Sequence, residues 1–134
     1  MIVFLHNQNN IKFLDIGCGL GDLLFYLARS FPQSIFIGVE LSPFAYAVAK
    51  IRSMIYGNVK IFFKNFWNLN FTDYSHIYAF LSPEPMKDIG DKIIKESPKE
   101  SVIYINTFEI PQLKPDKIIK LSSERQHSIF IYKV

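Results

Sequence analysis

The chain has one cysteine, one tryptophan, no run of lysines or arginines and no long apolar stretch. Each shortage excludes something. A lone Cys18 forms no internal disulfide, so nothing points to a fold stapled in an oxidising compartment. No stretch reaches the roughly 18 apolar residues that suggest a membrane helix. Met1–Leu5 is too short for a signal peptide and lacks the cleavage pattern. The default expectation is a cytoplasmic protein. The formal net charge is only +3, which is compatible with an anionic partner without arguing for one. The basic residues of 87–99 and 114–120 are interleaved with acids and read as solvated faces. There is no internal repeat and no low-complexity linker.

What is present is a chain of 134 residues, 49% of them hydrophobic. That is enough for one domain, spanning residues 1–134, which buries about two thirds of its unfolded surface. The stretch around which it is organised is Phe13-Leu14-Asp15-Ile16-Gly17-Cys18-Gly19-Leu20-Gly21-Asp22. Apolar, β-prone positions run into three alternate glycines and then a helix beginning near Asp22. Glycine tolerates positive φ and allows close approach of another molecule. A strand, glycine turn and helix in succession place backbone N–H groups beside a crevice at the end of a sheet. A dinucleotide fingerprint needs a third glycine where Asp22 stands, which disfavours an NAD-dependent oxidoreductase. The competing reading is a glycine turn without a ligand. Cys18, with no histidine near it in sequence, reads as a small residue tolerated in the turn rather than a nucleophile.

Along the chain, His6–Asn10 reads as a polar turn and Ile11–Ile16 as a buried central strand. A helix over Asp22–Phe31 follows, facing the core with Leu23, Leu24, Leu27 and Ala28 and stopped by Pro32. A second strand, Ser34–Glu40, ends on an acid about 20 residues beyond the turn, where a ribose presents its hydroxyls. A carboxylate accepts two hydrogen bonds from a vicinal diol; the alternative for Glu40 is a solvated loop carboxylate. Ser42 as N-cap and Pro43 at the first position start a helix running to about Tyr56, marked by Ala45, Val48, Ala49, Arg52 and Ile55 and ended by Gly57. Asn58–Phe63 is a third strand. Asn68–Tyr74 shows no helical pattern. His76–Leu81 is a fourth strand, after which Ser82 caps a helix from Pro83 to about Glu96 with Ile89, Ile93 and Ile94 inward. Glu100–Asn106 is a fifth strand, and Pro111 and Pro115 bracket a loop. Lys117–Leu121 and Ile129–Val134 are further strands joined by the turn Ser122–Gln126, a connection so short that they must be antiparallel. Alternating strands and helices argue for a mostly parallel α/β sheet.

The D-x-G-x-G-x-G arrangement of Asp15, Gly17, Gly19 and Gly21 resembles motif I of class I S-adenosylmethionine-dependent methyltransferases. The resemblance implies a three-layer Rossmann-like fold, a seven-stranded sheet in the order 3-2-1-4-5-7-6 and S-adenosylmethionine as cofactor. Asp15 would then hold the turn through its backbone amides and water. Glu40, with Leu41 beside it, would bind the ribose. Asn65 would meet the adenine edge and Phe66 or Trp67 its face; alternatively the two aromatic residues cap the core. From the second strand onward the chain resembles a narrower group, the bacterial relatives of the ATP synthase c-subunit lysine methyltransferases. The matching stretches are Gly38–Pro43, Asn65-Phe66-Trp67, Phe80–Pro83, Thr107–Pro111 with Lys114-Pro115, and Ile131-Tyr132.

Three features depart from that group: only about ten residues precede the first strand where a helical segment is usual, Asn65 replaces an aspartate, and the membrane segment of eukaryotic members is missing. The resemblance implies methylation of a protein lysine, whose ammonium must first lose a proton. Glu84 and the Ser82 hydroxyl are the candidates, although Ser82-Pro83-Glu84 also reads as a plain helix start. RNA or small-molecule methylation, and a catalytically silent cofactor-binding or interaction domain, are the competing functions. No metal site is expected.

Overall fold

The computed structural model describes residues 5, 8–121 and 127–134. Seven strands form one sheet: β1 (Lys12–Ile16), β2 (Ile35–Glu40), β3 (Val59–Phe63), β4 (His76–Ala79), β5 (Val102–Asn106), β6 (Lys117–Lys120) and β7 (Ser128–Lys133), in the order β3-β2-β1-β4-β5-β7-β6. The order and the reversed C-terminal pair match the expected fold. The helices are α1 (Asp22–Ser30), α2 (Pro43–Ser53) and α3 (Met86–Glu96). The expected turn Ser122–Gln126 and His6-Asn7 of the first polar turn lie outside the described residues. The chain divides into two compact units, Met1–Leu69 and Asn70–Val134.

In the first unit β1 and β2 are parallel, with Asp15 opposite Gly38 and Ile16 opposite Val39. β2 and β3 are also parallel, ending with Glu40 opposite Phe63. β1 and β2 are buried on both faces, which explains their continuous apolar runs, whereas the edge strand β3 buries only Val59 and Ile61. α1 buries Leu24, Phe25, Leu27 and Ala28. Leu23 is only half-buried, and Phe25 takes the place expected of it, because its ring fills the space beside Gly21: a Cβ there would lie 2.7 Å from it.

α2 starts as expected, with Ser42 Oγ accepting the Ala45 N–H and Pro43 in the first turn. It stops at Ser53 rather than Tyr56. Ile55, read as part of its periodicity, is 84% exposed, while Tyr56 stacks on Phe25 at 4.8 Å. The carboxamide of Asn58 donates to the carbonyls of Ala28, Phe31 and Ser34, satisfying groups left over at the end of α1.

In the second unit β4 and β5 are parallel, and β7 lies antiparallel to both β5 and β6. Two short 3-10 turns, Phe66–Asn68 at the end of the first unit and Phe71–Asp73 here, occupy the stretch in which no helical pattern is legible. α3 does not begin under a Ser82 cap. It begins at Met86, and no side chain caps it. Glu84 stands between two prolines, and a residue preceding proline is pushed out of the α region, so the helix starts only beyond Pro85. Its buried face is Met86, Ile89, Gly90 and Ile93; Ile94, expected inside, is 54% exposed. Gly90 makes room for Ile110, whose N–H donates to the Tyr132 hydroxyl at 2.9 Å.

Candidate functional site

The turn after β1 is built from backbone. Gly17, Gly19 and Gly21 have φ of 69°, 58° and 86°, the left-handed region that penalises a Cβ. The Val39 carbonyl at the end of β2 accepts both the Gly17 and the Cys18 N–H, at 2.9 and 3.0 Å. Gly21 N–H returns to the Cys18 carbonyl at 3.0 Å. The Gly19 N–H donates to Glu40 Oε2 at 2.9 Å, and Glu40 Oε1 accepts the Ser42 N–H at 3.0 Å. One carboxylate thus joins the glycine turn to the start of α2.

Room for the turn comes from Gly38. A Cβ there would lie 2.6 Å from Leu24 Cδ1 and 2.7 Å from Cys18 Sγ. Gly19 is the opposite case: a Cβ added there meets no atom within 4 Å, so its α-carbon looks onto open space.

Asp15 does not hold the turn's amides, as the resemblance had implied. Those of Gly17, Cys18, Gly19 and Gly21 are instead taken by Val39, Glu40 and Cys18. Asp15 is a buried strand residue, its pKa raised well above the ordinary value by burial and then by the nearby Glu40 charge. Burial, with Asp15 and Glu40 adding to it, pushes the Cys18 thiol up to about 12. That agrees with its reading as a small residue rather than a nucleophile.

Leu41, next to Glu40, is 51% exposed. Asn65 and Phe66 follow β3, whose last residue pairs with Glu40, so they extend from the same end of the sheet. The Asn65 side-chain oxygen is already used, accepting the Trp67 N–H at 3.1 Å. The Phe66 and Trp67 rings lie 4.5 Å apart and tilted by 42°. Asp15, the three glycines, Glu40, Leu41, Asn65 and Phe66 all belong to the first unit.

Ser82 and Glu84 belong to the second unit and interact with each other. Both are exposed, and a hydrogen bond from the Ser82 side chain holds the Glu84 carboxyl below its ordinary pKa. No group of His, Cys, Asp and Glu suited to a metal ion occurs among the described residues. Nor is any helix among them long and apolar enough to cross a membrane.

Sequence reasoning missed two residues that shape the turn. Arg52, legible only as part of a helical pattern, reaches the Leu20 carbonyl and Asp22. The glycine at 38 reads as an ordinary strand residue until Cys18 is seen against it. Neither contact leaves a mark in local spacing.

A family model, the ANTKMT methyltransferase domain, matches residues 15–117. The human lysine N-methyltransferase of the ATP synthase c-subunit is 24% identical over 108 residues, covering 78% of this chain and 46% of that protein. The chain spans about half the length of this relative and of its mouse and rat counterparts. A protein-lysine N-methyltransferase from Saccharolobus islandicus is 24% identical over 132 residues, covering 96% of this chain and 81% of that one. Among solved structures, an RNA methyltransferase from Salinibacter ruber, in complex with S-adenosyl-L-homocysteine, superposes with a TM-score of 0.87. It is 13% identical, covering 99% of this chain and 87% of that one. At that identity the likeness concerns the fold.

Proposed function

The chain belongs to the ANTKMT methyltransferase domain family, and on that premise we propose that it is an S-adenosylmethionine-dependent methyltransferase whose acceptor is a protein lysine. The observation that carries the reading is the glycine turn held by Glu40, with open space over Gly19. A flat, uncharged backbone surface beside a carboxylate suits the methionine and ribose parts of that cofactor. It has no need of the pyrophosphate cradle a dinucleotide requires.

Glu40 spends one lone pair of each oxygen on Gly19 and Ser42. An ionised carboxylate has about four acceptor positions, so two are left for ribose hydroxyls. Asn65, its oxygen engaged by Trp67, would offer its amide nitrogen to the adenine edge, and Phe66 its ring to the adenine face. Leu41 lines the same end of β2. When bound, the cofactor supplies a methyl group already activated on a sulfonium. The work left to the protein is to orient the acceptor and exclude water.

A lysine acceptor must shed a proton. Glu84 takes it in this reading, with the Ser82 hydroxyl fixing the carboxylate. Glu84→Gln, assayed with a confirmed acceptor, is expected to lower turnover; unchanged turnover would remove Glu84 from the mechanism. The names of the human and archaeal relatives support a protein acceptor.

Transfer of tritiated methyl groups into a whole-cell lysate tests the function. A labelled protein band is expected. Labelled RNA would move the acceptor class, and cofactor binding without any label would mark a silent binding domain.

A further inference from the structure

The glycine turn is gripped from a second direction. Arg52, near the end of α2, points back at the start of α1. Its Nη1 donates to the Leu20 carbonyl at 2.8 Å and lies 2.8 Å from Asp22 Oδ1. Its guanidinium carbon sits 4.7 Å from the centroid of the Phe25 ring. That ring is 1% exposed and also stacks with Tyr56. It fills the space beside Gly21.

These contacts form a chain of cause. Tyr56 and Arg52 fix the Phe25 ring, and the ring limits where Gly21 can lie. Arg52 pins the carbonyl of Leu20, while Glu40 pins the N–H of Gly19. The adjacent residues Gly19 and Leu20 are therefore tied from opposite ends of one helix: Glu40 lies just before α2 and Arg52 in its last turn. Glycines at positive φ lose more conformational freedom on ordering than other residues, so an unbraced turn would sample many shapes.

We infer that Arg52 is a positioning residue, which holds the Gly19–Gly21 backbone in the shape that receives the cofactor. The inference rests on the cofactor reading proposed above. Lysine at this position would keep the charge opposite Asp22. It would lose the guanidinium held over the Phe25 ring, which fixes where the shared donor Nη1 lies between the Leu20 carbonyl and Asp22.

The test is calorimetric titration of S-adenosylhomocysteine into wild type, Arg52→Ala, Arg52→Lys and Ala49→Gly, with thermal unfolding followed on the same samples. Ala49→Gly loosens the buried side of α2 and removes none of the turn's hydrogen bonds given above. Loss of a charge-assisted bond predicts affinity weakened about tenfold or more in Arg52→Ala. Arg52→Lys should fall between that variant and wild type, and Ala49→Gly should bind as wild type does despite a lower Tm. Steady-state assays should show the KM for S-adenosylmethionine rising in Arg52→Ala with kcat kept at saturation.

If Arg52→Ala binds as tightly as wild type, or if Ala49→Gly weakens binding as much for the same loss of Tm, the inference is overturned while the cofactor reading stands. If wild type itself does not bind, the cofactor reading fails and this inference with it.

Discussion

Glu40 and Gly19 stand 21 positions apart and share a hydrogen bond of 2.9 Å from the Gly19 N–H to Oε2. The second oxygen receives Ser42 N–H at the mouth of α2. An acid at the end of the second strand therefore shapes the site before any ligand arrives, and its two roles predict two losses. Glu40→Ala should weaken S-adenosylmethionine binding by about 1.5–3 kcal/mol, as expected for charge-assisted hydrogen bonds. It should also lower Tm, since two backbone donors lose their acceptor. Calorimetry that returned an unchanged affinity would end the ribose assignment.

Gly38 faces Cys18 across the first two strands, and the thiol would lie 2.7 Å from any Cβ placed there. Overpacking of this kind costs about 1–3 kcal/mol. Gly38→Ala should be destabilised by that amount in urea titration. Adding Cys18→Ala removes one of the two obstructing side chains and should restore part of the loss, a coupling of about 0.5 kcal/mol or more. Strict additivity would show that Leu24 alone obstructs the position.

The architecture is legible because the parallel strands read as uninterrupted apolar runs and the glycines mark the turn directly. The antiparallel end is forced by a connection too short for a crossover. The errors have two sources, packing and the backbone effect of proline. Spacing puts Leu23 and Ile94 in the core, but each helix buries the face its packing selects: Phe25 beside Gly21 within the first turn of α1, and Gly90 against distant Ile110 in α3. The Ser82 cap fails because Pro85 acts on Glu84 more strongly than a serine three residues upstream can draw a helix out. Glu40 can be located from its place in the strand. That it takes a turn amide, and that Asp15 does not, depends on where side chains point once β1 and β2 are in register.

Cys18 provides a chemical reading of the turn's polarity. Burial, then Asp15 and Glu40, push its thiol from 9.0 to about 12. At pH 8 the thiolate is then about a thousandfold scarcer than for an ordinary cysteine, partly offset by the greater nucleophilicity of a more basic thiolate. Iodoacetamide should label the native protein about one to two orders of magnitude more slowly than the same chain in denaturant. Equal rates, followed by mass spectrometry, would contradict the raised thiol and the burial that is its main cause.

In the second unit His76 should govern part of the acid stability. It is 2% exposed, stacks with Tyr104 at 6.2 Å and shares a 2.9 Å hydrogen bond with Ser75 through Nδ1; Nε2 has no hydrogen-bond partner among the described residues. Burial lowers its pKa from 6.5 to about 4. A base that the native state keeps neutral contributes stability fully present above pH 6.5 and lost as pH falls toward 4, because the unfolded chain takes up the proton first. Between pH 7.5 and pH 5 that loss is about 2 kcal/mol. Asp15 works in the opposite sense: its raised pKa means that protonation on the way down favours the native state. The two effects overlap in wild type, so the comparison must be with His76→Phe, which keeps a ring against Tyr104 and cannot titrate. Urea unfolding at both pH values should show wild type losing about 2 kcal/mol more than His76→Phe on acidification. Parallel losses would mean that the imidazole is hydrated or protonated in the native fold.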